Sequence, residues 1–340
     1  MIARVFPKTR MRRLRKHSWL RELTQEHTLH AKDLILPLFI HESPVTEPIS
    51  SLPGTFRYGL TDLLKICQDA AQLGIPAVAL FPVVNDDKKD PSGSEAFNPD
   101  NIICQAVCAI NALNLDLGII CDCALDPYTN HSHDGVLQAD GDVDNDSTIA
   151  LLAKQAILLA QAGCHVIAPS DMQDGRVGYI RSALDQNHFH EVSILSYTAK
   201  YASHLYAPFR DAVGAHGIKN SAHPGQKLDK KTYQMNPANR QEALHIARSH
   251  LSEGADCLMV KPATSYLDVL YHIQQDTKAP VFAYQVSGEY HMLKTFSSHM
   301  HIDFLDILYE NLIACKRAGA SAILTYGAIE MARALQTTHG

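Results

Sequence analysis

The chain has 340 residues, of which 46% are apolar and 19% are charged, and its formal net charge is -6. This length allows a large hydrophobic core, and the acidic balance argues against a nucleic-acid-binding protein as a whole. No apolar run approaches the length of a membrane-spanning helix, and no hydrophobic signal core follows the basic amino terminus. We therefore expect a cytoplasmic protein without membrane contact. The eight scattered cysteines are expected to be mostly reduced core residues.

A basic arm opens the chain, with lysines and arginines crowded into positions 4–16. Such clusters are typical of nucleic-acid-binding or nuclear-localisation segments, so an oligomerising RNA-associated protein is one hypothesis. Apolar residues suited to a protein surface are interleaved with the charges: Phe6, Met11, Leu14 and Trp19. We therefore interpret residues 1–30 as an arm for subunit contacts and residues 31–340 as one catalytic domain.

Strand-like and helical patterns then alternate along the chain. The apolar runs are 34–40, 77–84, 117–125, 166–170, 192–199, 257–261, 281–287 and 322–326. Helical patterns lie between most of them, including 61–73, 99–113, 146–162, 236–253 and 303–318. Eight strands that alternate with helices predict a closed (β/α)₈ TIM barrel, with a doubly wound open sheet as the second possibility. The chain has no Gly-x-Gly-x-x-Gly after a strand, which weakens the second.

The run 257–261 ends in Lys261 and is closed by Pro262, which cannot continue a strand ladder. Lys261 is therefore expected at the carboxyl end of a buried strand, which is the face where barrel enzymes carry their chemistry. An amine in that place suits Schiff-base formation. A lysine that merely extends from a strand end to water is the alternative.

Other predicted strand ends also carry polar side chains. They include Asp122, Ser170, Lys200, Ser287 and Tyr326. Polar groups gathered at one face are costly to bury without a use, which favours an active site. Burial and a like-charged neighbour both lower the pKa of a lysine, so a lysine pair could supply neutral amines for carbonyl substrates.

Several stretches resemble one known family. They are Phe6-Pro7, Arg10-Met11-Arg12-Arg13-Leu14-Arg15, Gly93-Ser94-Glu95-Ala96, Asp126-Pro127-Tyr128-Thr129, Ala168-Pro169-Ser170-Asp171-Met172, Asp174-Gly175-Arg176, Ser196-Tyr197-Thr198-Ala199-Lys200-Tyr201-Ala202-Ser203, Pro208-Phe209-Arg210, Tyr233-Gln234-Met235-Asn236-Pro237, Met259-Val260-Lys261-Pro262 and Tyr284-Gln285-Val286-Ser287-Gly288-Glu289-Tyr290. These resemble porphobilinogen synthase, also called 5-aminolevulinate dehydratase. The resemblance implies a TIM-barrel lyase that condenses two molecules of 5-aminolevulinate to porphobilinogen in haem and tetrapyrrole biosynthesis. It also implies a homo-octamer in which the arms wrap neighbouring subunits.

The resemblance assigns roles to individual residues. Lys261 corresponds to the lysine that forms the Schiff base with one substrate, and Lys200 to the lysine that engages the other, with Asp122 as a further catalytic residue. The implied substrate-binding residues are Ser170, Arg210, Lys230, Gln234, Ser287 and Tyr326. Lys230 stands where an arginine is expected, which keeps the charge but loses the bidentate fork. The segment 214–231 is interpreted as a lid over the site.

The resemblance also bears on metals. Its zinc-dependent branch uses three cysteines at positions that here are Ala124, Asp126 and Asp134. We therefore expect no cysteine zinc site and no catalytic zinc, while Asp126 and Asp134 could hold a hard cation such as Mg²⁺. Strand alternation agrees, because Cys121 and Cys123 should point away from the pocket. An allosteric Mg²⁺ site is doubtful, because Ile246 stands where bacterial relatives carry a glutamate.

A class I aldolase-like barrel is the other enzymatic hypothesis. Such an enzyme normally uses a single Schiff-base lysine and would not need Lys200. No organic cofactor and no nucleic-acid partner are expected. Incubation with 5-aminolevulinate would separate the synthase from both alternatives.

Overall fold

Eight parallel strands close into a barrel in this computed structural model, which describes residues 5–214 and 229–337. The barrel strands are β1 (Leu34–His41), β4 (Ala77–Val83), β5 (Gly118–Cys123), β6 (Val166–Pro169), β7 (Ser193–Lys200), β8 (Cys257–Lys261), β9 (Val281–Tyr284) and β10 (Ala322–Leu324). Neighbouring strands pair in chain order, and β10 pairs with β1 to close the ring. The short strands β2 (Glu47–Pro48) and β3 (Phe56–Tyr58) extend the sheet beside β1.

Helices lie between or after the barrel strands along the chain and surround them, except for the first, which precedes the barrel in the amino-terminal arm. They are α1 (Ser18–Leu23), α2 (Leu60–Gln72), α3 (Ile102–Asn111), α4 (Asn145–Gln161), α5 (Arg176–Gln186), α6 (Ala207–Ala212), α7 (Gln241–Ser252), α8 (Leu267–Thr277), α9 (Ser287–Met300), α10 (Phe304–Arg317) and α11 (Ala328–Thr337). All eight residues of β1 are buried, because the barrel interior covers one face of each strand and the helices cover the other. The TIM barrel expected from the alternating pattern is therefore confirmed.

Several predicted boundaries differ from the observed ones by a few residues, including 99–113, observed as Ile102–Asn111, and 322–326, observed as Ala322–Leu324; two further differences have a clear local cause. The run 281–287 does not continue as a strand to Ser287, because β9 ends at Tyr284 and Ser287 begins α9. The Glu289 carboxylate accepts a hydrogen bond from the Val286 N–H at 2.8 Å, and this one-sided cap satisfies a backbone donor where the helix starts. The helix predicted over 236–253 begins only at Gln241, since the Asn236 side chain accepts from the Ala238 N–H and holds a turn.

The amino-terminal arm has little structure of its own. It contains a 3₁₀ helix over Met11–Arg15 and the short helix α1, and neither buries a residue. Across residues 5–214 and 229–337, no helix is long and apolar enough to cross a membrane. All eight cysteines are free thiols, and six of them are buried, as expected for reduced core residues. The predicted lid falls mostly on residues 215–228, which lie outside the described residues.

Candidate active site

Lys261 ends β8 and lies beneath an aromatic cage. Its side chain is buried, and its Nζ lies 4.4 Å from the centroid of the Tyr284 ring, 5.0 Å from that of Phe209, 5.1 Å from that of Tyr197 and 5.3 Å from that of Tyr206. Burial, and secondly the nearby charge of Lys200, lower the pKa of Lys261 to about 7. A large part of this lysine is therefore a neutral, nucleophilic amine at physiological pH.

Lys200 ends the neighbouring strand β7 and is the register partner of Lys261. The pairing depends on a bulge between Ser196 and Ala199, where β7 carries one extra residue relative to β8. Within the bulge, the Tyr197 carbonyl accepts a hydrogen bond at 3.0 Å from the buried guanidinium of Arg176. The Lys200 ammonium itself donates to the Ser170 carbonyl at the end of β6. Two lysines thus meet at the same face of the barrel.

Lys230 links two carboxylates on the loop that follows β5. Its Nζ lies 2.9 Å from Asp134 Oδ1 and 3.1 Å from Asp126 Oδ2, and Lys200 Nζ lies 3.5 Å from Asp134 Oδ2. Burial alone would raise the pKa of Asp134, but the Lys200 and Lys230 charges outweigh burial and hold this pKa well below its ordinary value. Burial would lower the pKa of Lys230, yet Asp126 and Asp134 raise it above its ordinary value. This charge cluster therefore contains an ionised Asp134 and an ionised Lys230 at neutral pH, while burial and the Asp134 charge raise the pKa of Asp126.

Asp122, near the end of β5, has a different environment. Burial, and secondly the Asp126 charge, raise its pKa to about 7, while the Ser170 hydroxyl and the two lysines oppose the rise. Asp122 Oδ1 is buried and has no hydrogen-bond partner among the described residues. A carboxyl group with this pKa can both give and take a proton near neutral pH.

One cavity gathers most of the predicted site residues. It is lined by Asp122, Asp126, Ser170, Lys200, Tyr206, Phe209, Arg210, Lys230, Gln234 and Lys261. Gln234 is 4% exposed, and its Oε1 has no hydrogen-bond partner within the described part of the chain. The guanidinium of Arg210 and the amide of Gln234 therefore face a polar space suited to an anionic group.

Ser287 and Tyr326 do not line this cavity but contact residues of the Lys261 cage. Ser287 is fully buried, and its hydroxyl accepts a hydrogen bond from the Phe209 N–H at 2.9 Å. Tyr326 is hydrogen-bonded through its hydroxyl to the Tyr284 hydroxyl at 3.2 Å. Phe209 and Tyr284 both belong to the cage of Lys261, so the two hydroxyls are bound to residues that surround the reactive amine.

Tyr233 and His133, which were not predicted as site residues, form hydrogen bonds beside the charge cluster. The Tyr233 hydroxyl is hydrogen-bonded to His133 Nδ1 at 3.1 Å and accepts from the Asp134 N–H at 3.4 Å. This contact joins the segment of Lys230 to the loop of Asp134. The two residues stand 100 positions apart, so no local pattern could have paired them, although each directly precedes a selected residue.

The donor set of this region does not fit a divalent-cation site. In the ranges 5–214 and 229–337, His, Cys, Asp and Glu side chains form no group of three or more that could hold a metal ion. Asp126 and Asp134 share an ammonium group instead. The Cys123 thiol donates to the Leu152 carbonyl of α4, which turns it away from the cavity. Whether the protein requires zinc or Mg²⁺ stays a prediction.

Comparisons with known proteins agree over almost the whole chain. A family model described as Delta-aminolevulinic acid dehydratase matches residues 8–334. The Delta-aminolevulinic acid dehydratase of Bradyrhizobium diazoefficiens is 45% identical over 329 residues, covering 96% of this chain and 91% of that protein. The protein of the same name from Chlamydia pneumoniae is 47% identical over 320 residues, covering 94% of each chain.

A solved structure extends the likeness to three dimensions. The delta-aminolevulinic acid dehydratase (porphobilinogen synthase) of Toxoplasma gondii ME49, in complex with the reaction product porphobilinogen, is 44% identical and has a TM-score of 0.92. The match covers 98% of this chain and 93% of that one. With the paired lysines at the carboxyl ends of β7 and β8, these matches show that the chain belongs to the Delta-aminolevulinic acid dehydratase family.

Proposed function

We propose that this chain is a lyase that condenses two molecules of 5-aminolevulinate to one porphobilinogen, with loss of two waters. The observation that carries the proposal is the register pairing of Lys200 and Lys261, two buried lysines at the active face of the barrel. A single-lysine aldolase would not require this pair. The family membership makes 5-aminolevulinate the substrate and porphobilinogen the product.

Lys261 is the proposed nucleophile toward one substrate. Its neutral amine attacks the substrate ketone, a C–N bond forms, and the ketone oxygen leaves as water after gaining protons. The pKa of about 7 supplies the neutral amine, and the aromatic cage excludes bulk water from the Schiff base. Lys200 engages the ketone of the second substrate in the same way, and that ketone oxygen leaves as the second water. When one C–C bond and one C–N bond join the substrates, the lysines are released and regain their protons.

Separate groups are proposed to hold the two substrate carboxylates. Ser287 and Tyr326 adjoin the cage of Lys261, so their hydroxyls would bind the carboxylate of the first substrate. Arg210 and Gln234 line the cavity beside Lys200 and would bind the carboxylate of the second. Fixing both carboxylates holds the two reacting ketones and amines close together, which removes much of the entropic cost of the condensation.

Asp122 is the proposed proton carrier between the lysines. Its pKa is about 7, and its Oδ1 has no hydrogen-bond partner among the described residues. Both properties suit repeated protonation and deprotonation. Ser170 supports it, because its hydroxyl opposes the rise in the Asp122 pKa and its carbonyl accepts from Lys200.

Lys230 is proposed to supply the positive charge that a metal ion would otherwise give. Its ammonium group bridges Asp126 and Asp134 and is almost completely buried. A permanently charged group between two carboxylates stabilises them without any bound cation. The proposal is that catalysis needs neither zinc nor Mg²⁺ at this position. Because Ile246 cannot ligate a cation, allosteric Mg²⁺ activation is not proposed either.

The arm is proposed to mediate self-association, with a homo-octamer as the assembly. Its apolar side chains are strongly exposed in the single chain, with 70% of Phe6, 56% of Trp19 and 76% of Leu23 accessible. Helix α9 likewise exposes Met292 and Phe296. Burying such side chains against a second subunit would be favourable. A cytoplasmic location is part of the proposal.

The direct experiment is incubation of the purified protein with 5-aminolevulinate and detection of porphobilinogen by its colour reaction with an aldehyde reagent. The expected result is product formation by the parent protein and none by Lys261→Ala. Absence of product from a folded, oligomeric parent protein would contradict the proposal.

A further inference from the structure

Glu289 is a buried carboxylate that joins the ends of β8 and β9. It is 2% exposed, and its Oε2 accepts hydrogen bonds from the Val286 N–H at 2.8 Å and the Ala263 N–H at 3.2 Å. Its Oε1 accepts from the Thr264 N–H at 2.7 Å. Hydrogen bonds to a buried carboxylate are short and strong, so this one side chain fixes two turns against each other.

A second chain of hydrogen bonds continues from the β8 turn to β10. Asn311 of α10 donates through Nδ2 to Thr264 Oγ1 at 3.1 Å and accepts from the Gln285 side chain. Thr325 Oγ1 donates to Gln285 Oε1 at 2.6 Å and accepts from the Gly327 N–H at 3.1 Å. Gln285 and Thr325 are fully buried. We call Thr264, Gln285, Glu289, Asn311 and Thr325 the polar belt.

The polar belt touches each of the three strand ends that hold the first substrate. Thr264 follows Lys261 by three residues, Gln285 precedes Ser287 by two, and Thr325 directly precedes Tyr326. The three functional side chains also contact one or both of the same two aromatic residues, Phe209 and Tyr284. Lys261 and Tyr326 both contact Tyr284, and the Phe209 backbone binds Ser287 while its ring faces Lys261.

We propose that the polar belt fixes the distance from the Lys261 amine to the hydroxyls of Ser287 and Tyr326. This inference rests on the proposed function, in which the amine takes the ketone and the hydroxyls take the carboxylate of one substrate. In 5-aminolevulinate the ketone carbon is separated from the carboxylate carbon by two methylene groups. A fixed distance between the amine and the hydroxyls therefore favours 4-oxo acids over 5-oxo acids, whose ketone lies one methylene farther from the carboxylate.

The selection between 4-oxo and 5-oxo acids depends on the rigidity of the polar belt. One extra methylene in a pocket that can adjust costs little binding energy, so discrimination by length requires ends that cannot move apart. Gln285, Glu289 and Thr325 are buried and Thr264 and Asn311 are half-buried, and a network in which each member is hydrogen-bonded resists such movement. The members of the polar belt are positioning residues, because they act on Lys261, Ser287 and Tyr326 through the backbone.

The experiment compares two simple keto acids, 4-oxopentanoate and 5-oxohexanoate, as partners for Lys261. Each is incubated with the native oligomer and cyanoborohydride, and the labelling rate of the Lys261 peptide is measured by mass spectrometry. The parent protein is expected to prefer 4-oxopentanoate by at least about tenfold. Thr264→Val, which removes one link of the belt, is expected to reduce that preference about threefold, and Glu289→Gln about tenfold.

Thr264→Ser is the matched control, because it keeps the hydroxyl, and it is expected to keep the preference of the parent. A purely structural role would slow labelling by both acids in parallel, and a parallel fall in Thr264→Val would overturn the inference while leaving the proposed function intact. Should Glu289→Gln fail to fold, the comparison of Thr264→Val with Thr264→Ser decides alone. If 4-oxopentanoate does not label Lys261 of the parent protein, the proposed function fails, and the proposed role of the polar belt fails with it.

Discussion

Lys200 and Lys261 face each other across β7 and β8 because β7 contains one extra residue. Ser196 pairs with Leu258, whereas Ala199 pairs with Val260, so the register changes by one within the bulge. Without that change, Ala199 would stand opposite Lys261. The bulge is stabilised by Arg176, whose buried guanidinium donates a hydrogen bond to the Tyr197 carbonyl. The two-lysine site therefore depends on a local irregularity of the backbone as well as on the sequence of each strand.

The first prediction concerns the division of labour between the two lysines. Lys261→Ala should abolish covalent trapping of 5-aminolevulinate by borohydride, because the amine with the lowered pKa is gone. Lys200→Ala should abolish turnover yet still permit labelling of Lys261. Mass spectrometry of the trapped peptide is the measurement. Undiminished trapping in Lys261→Ala would contradict the assignment.

The second prediction is the pH dependence of Schiff-base formation. Only the neutral amine attacks a ketone, so with a pKa of about 7 the labelling rate of Lys261 should rise from pH 6 and level off above about pH 8. The Lys200 charge contributes to the lowered pKa, so Lys200→Met should raise the pKa of Lys261 and move the profile to higher pH. Labelling rates at constant ionic strength measure both effects. A profile that moves to lower pH in the variant would show the sign to be wrong.

The sequence predicts a structural feature well when neighbouring residues along the chain determine that feature. The strand Cys257–Lys261 has the predicted bounds, because a short apolar run closed by proline leaves few alternatives. Ser287 was placed on a strand because 281–287 is largely apolar, yet a carboxylate three residues beyond Val286 caps a helix there. That signal was present in the sequence and outweighed by the apolar pattern.

The contacts that organise the site are mostly long-range and leave no periodic signal. Thr264 and Asn311 are 47 residues apart, and Lys230 and Asp126 are 104 residues apart. Lys230 is predicted to bind substrate and Asp126 to hold a cation, whereas the structure brings the two together as an ion pair. Spacing along the chain could not have predicted that pairing, because it depends on how the loops fold over the barrel mouth.

The third prediction concerns the arm. Deleting residues 1–16 should lower the native mass, because the deletion removes exposed apolar and basic side chains proposed to contact other subunits. The barrel should stay folded, since the helix over Met11–Arg15 buries none of its residues. Native mass from light scattering, with circular dichroism as the check on folding, is the measurement. An unchanged oligomer with full activity would assign the arm another purpose.

The fourth prediction concerns Lys230. Lys230→Ala should reduce turnover by about a hundredfold and lower the Tm, because it leaves two buried carboxylates with less compensating charge. Added Mg²⁺ should restore part of the activity by taking the place of the ammonium group. Lys231→Ala is the matched control, since Lys231 is largely exposed and pairs with Asp229, and its turnover should match that of the parent. Equal losses in the two variants would contradict the role of Lys230.

The last prediction is that the parent protein needs no zinc and shows little or no Mg²⁺ activation. Ala124, Asp126 and Asp134 provide no thiolate to select zinc, and the two aspartates already share the Lys230 ammonium. Ile246 lines a separate surface cleft between α7 and the segment that leads into α5, where it offers no carboxylate to a cation. These two departures lie in different parts of the molecule and can be tested apart.

The measurement is turnover after exhaustive chelation, with Zn²⁺, Mg²⁺ or no addition. The parent protein should keep its activity without added metal, and Zn²⁺ should not increase it. Ile246→Glu adds a carboxylate to the cleft, which also contains Glu242, and should make activity or oligomer mass respond to Mg²⁺. Restoration by Zn²⁺ alone would refute the zinc-independent site. Strong Mg²⁺ activation of the parent, unchanged in Ile246→Glu, would instead place the responsive cation elsewhere on the protein.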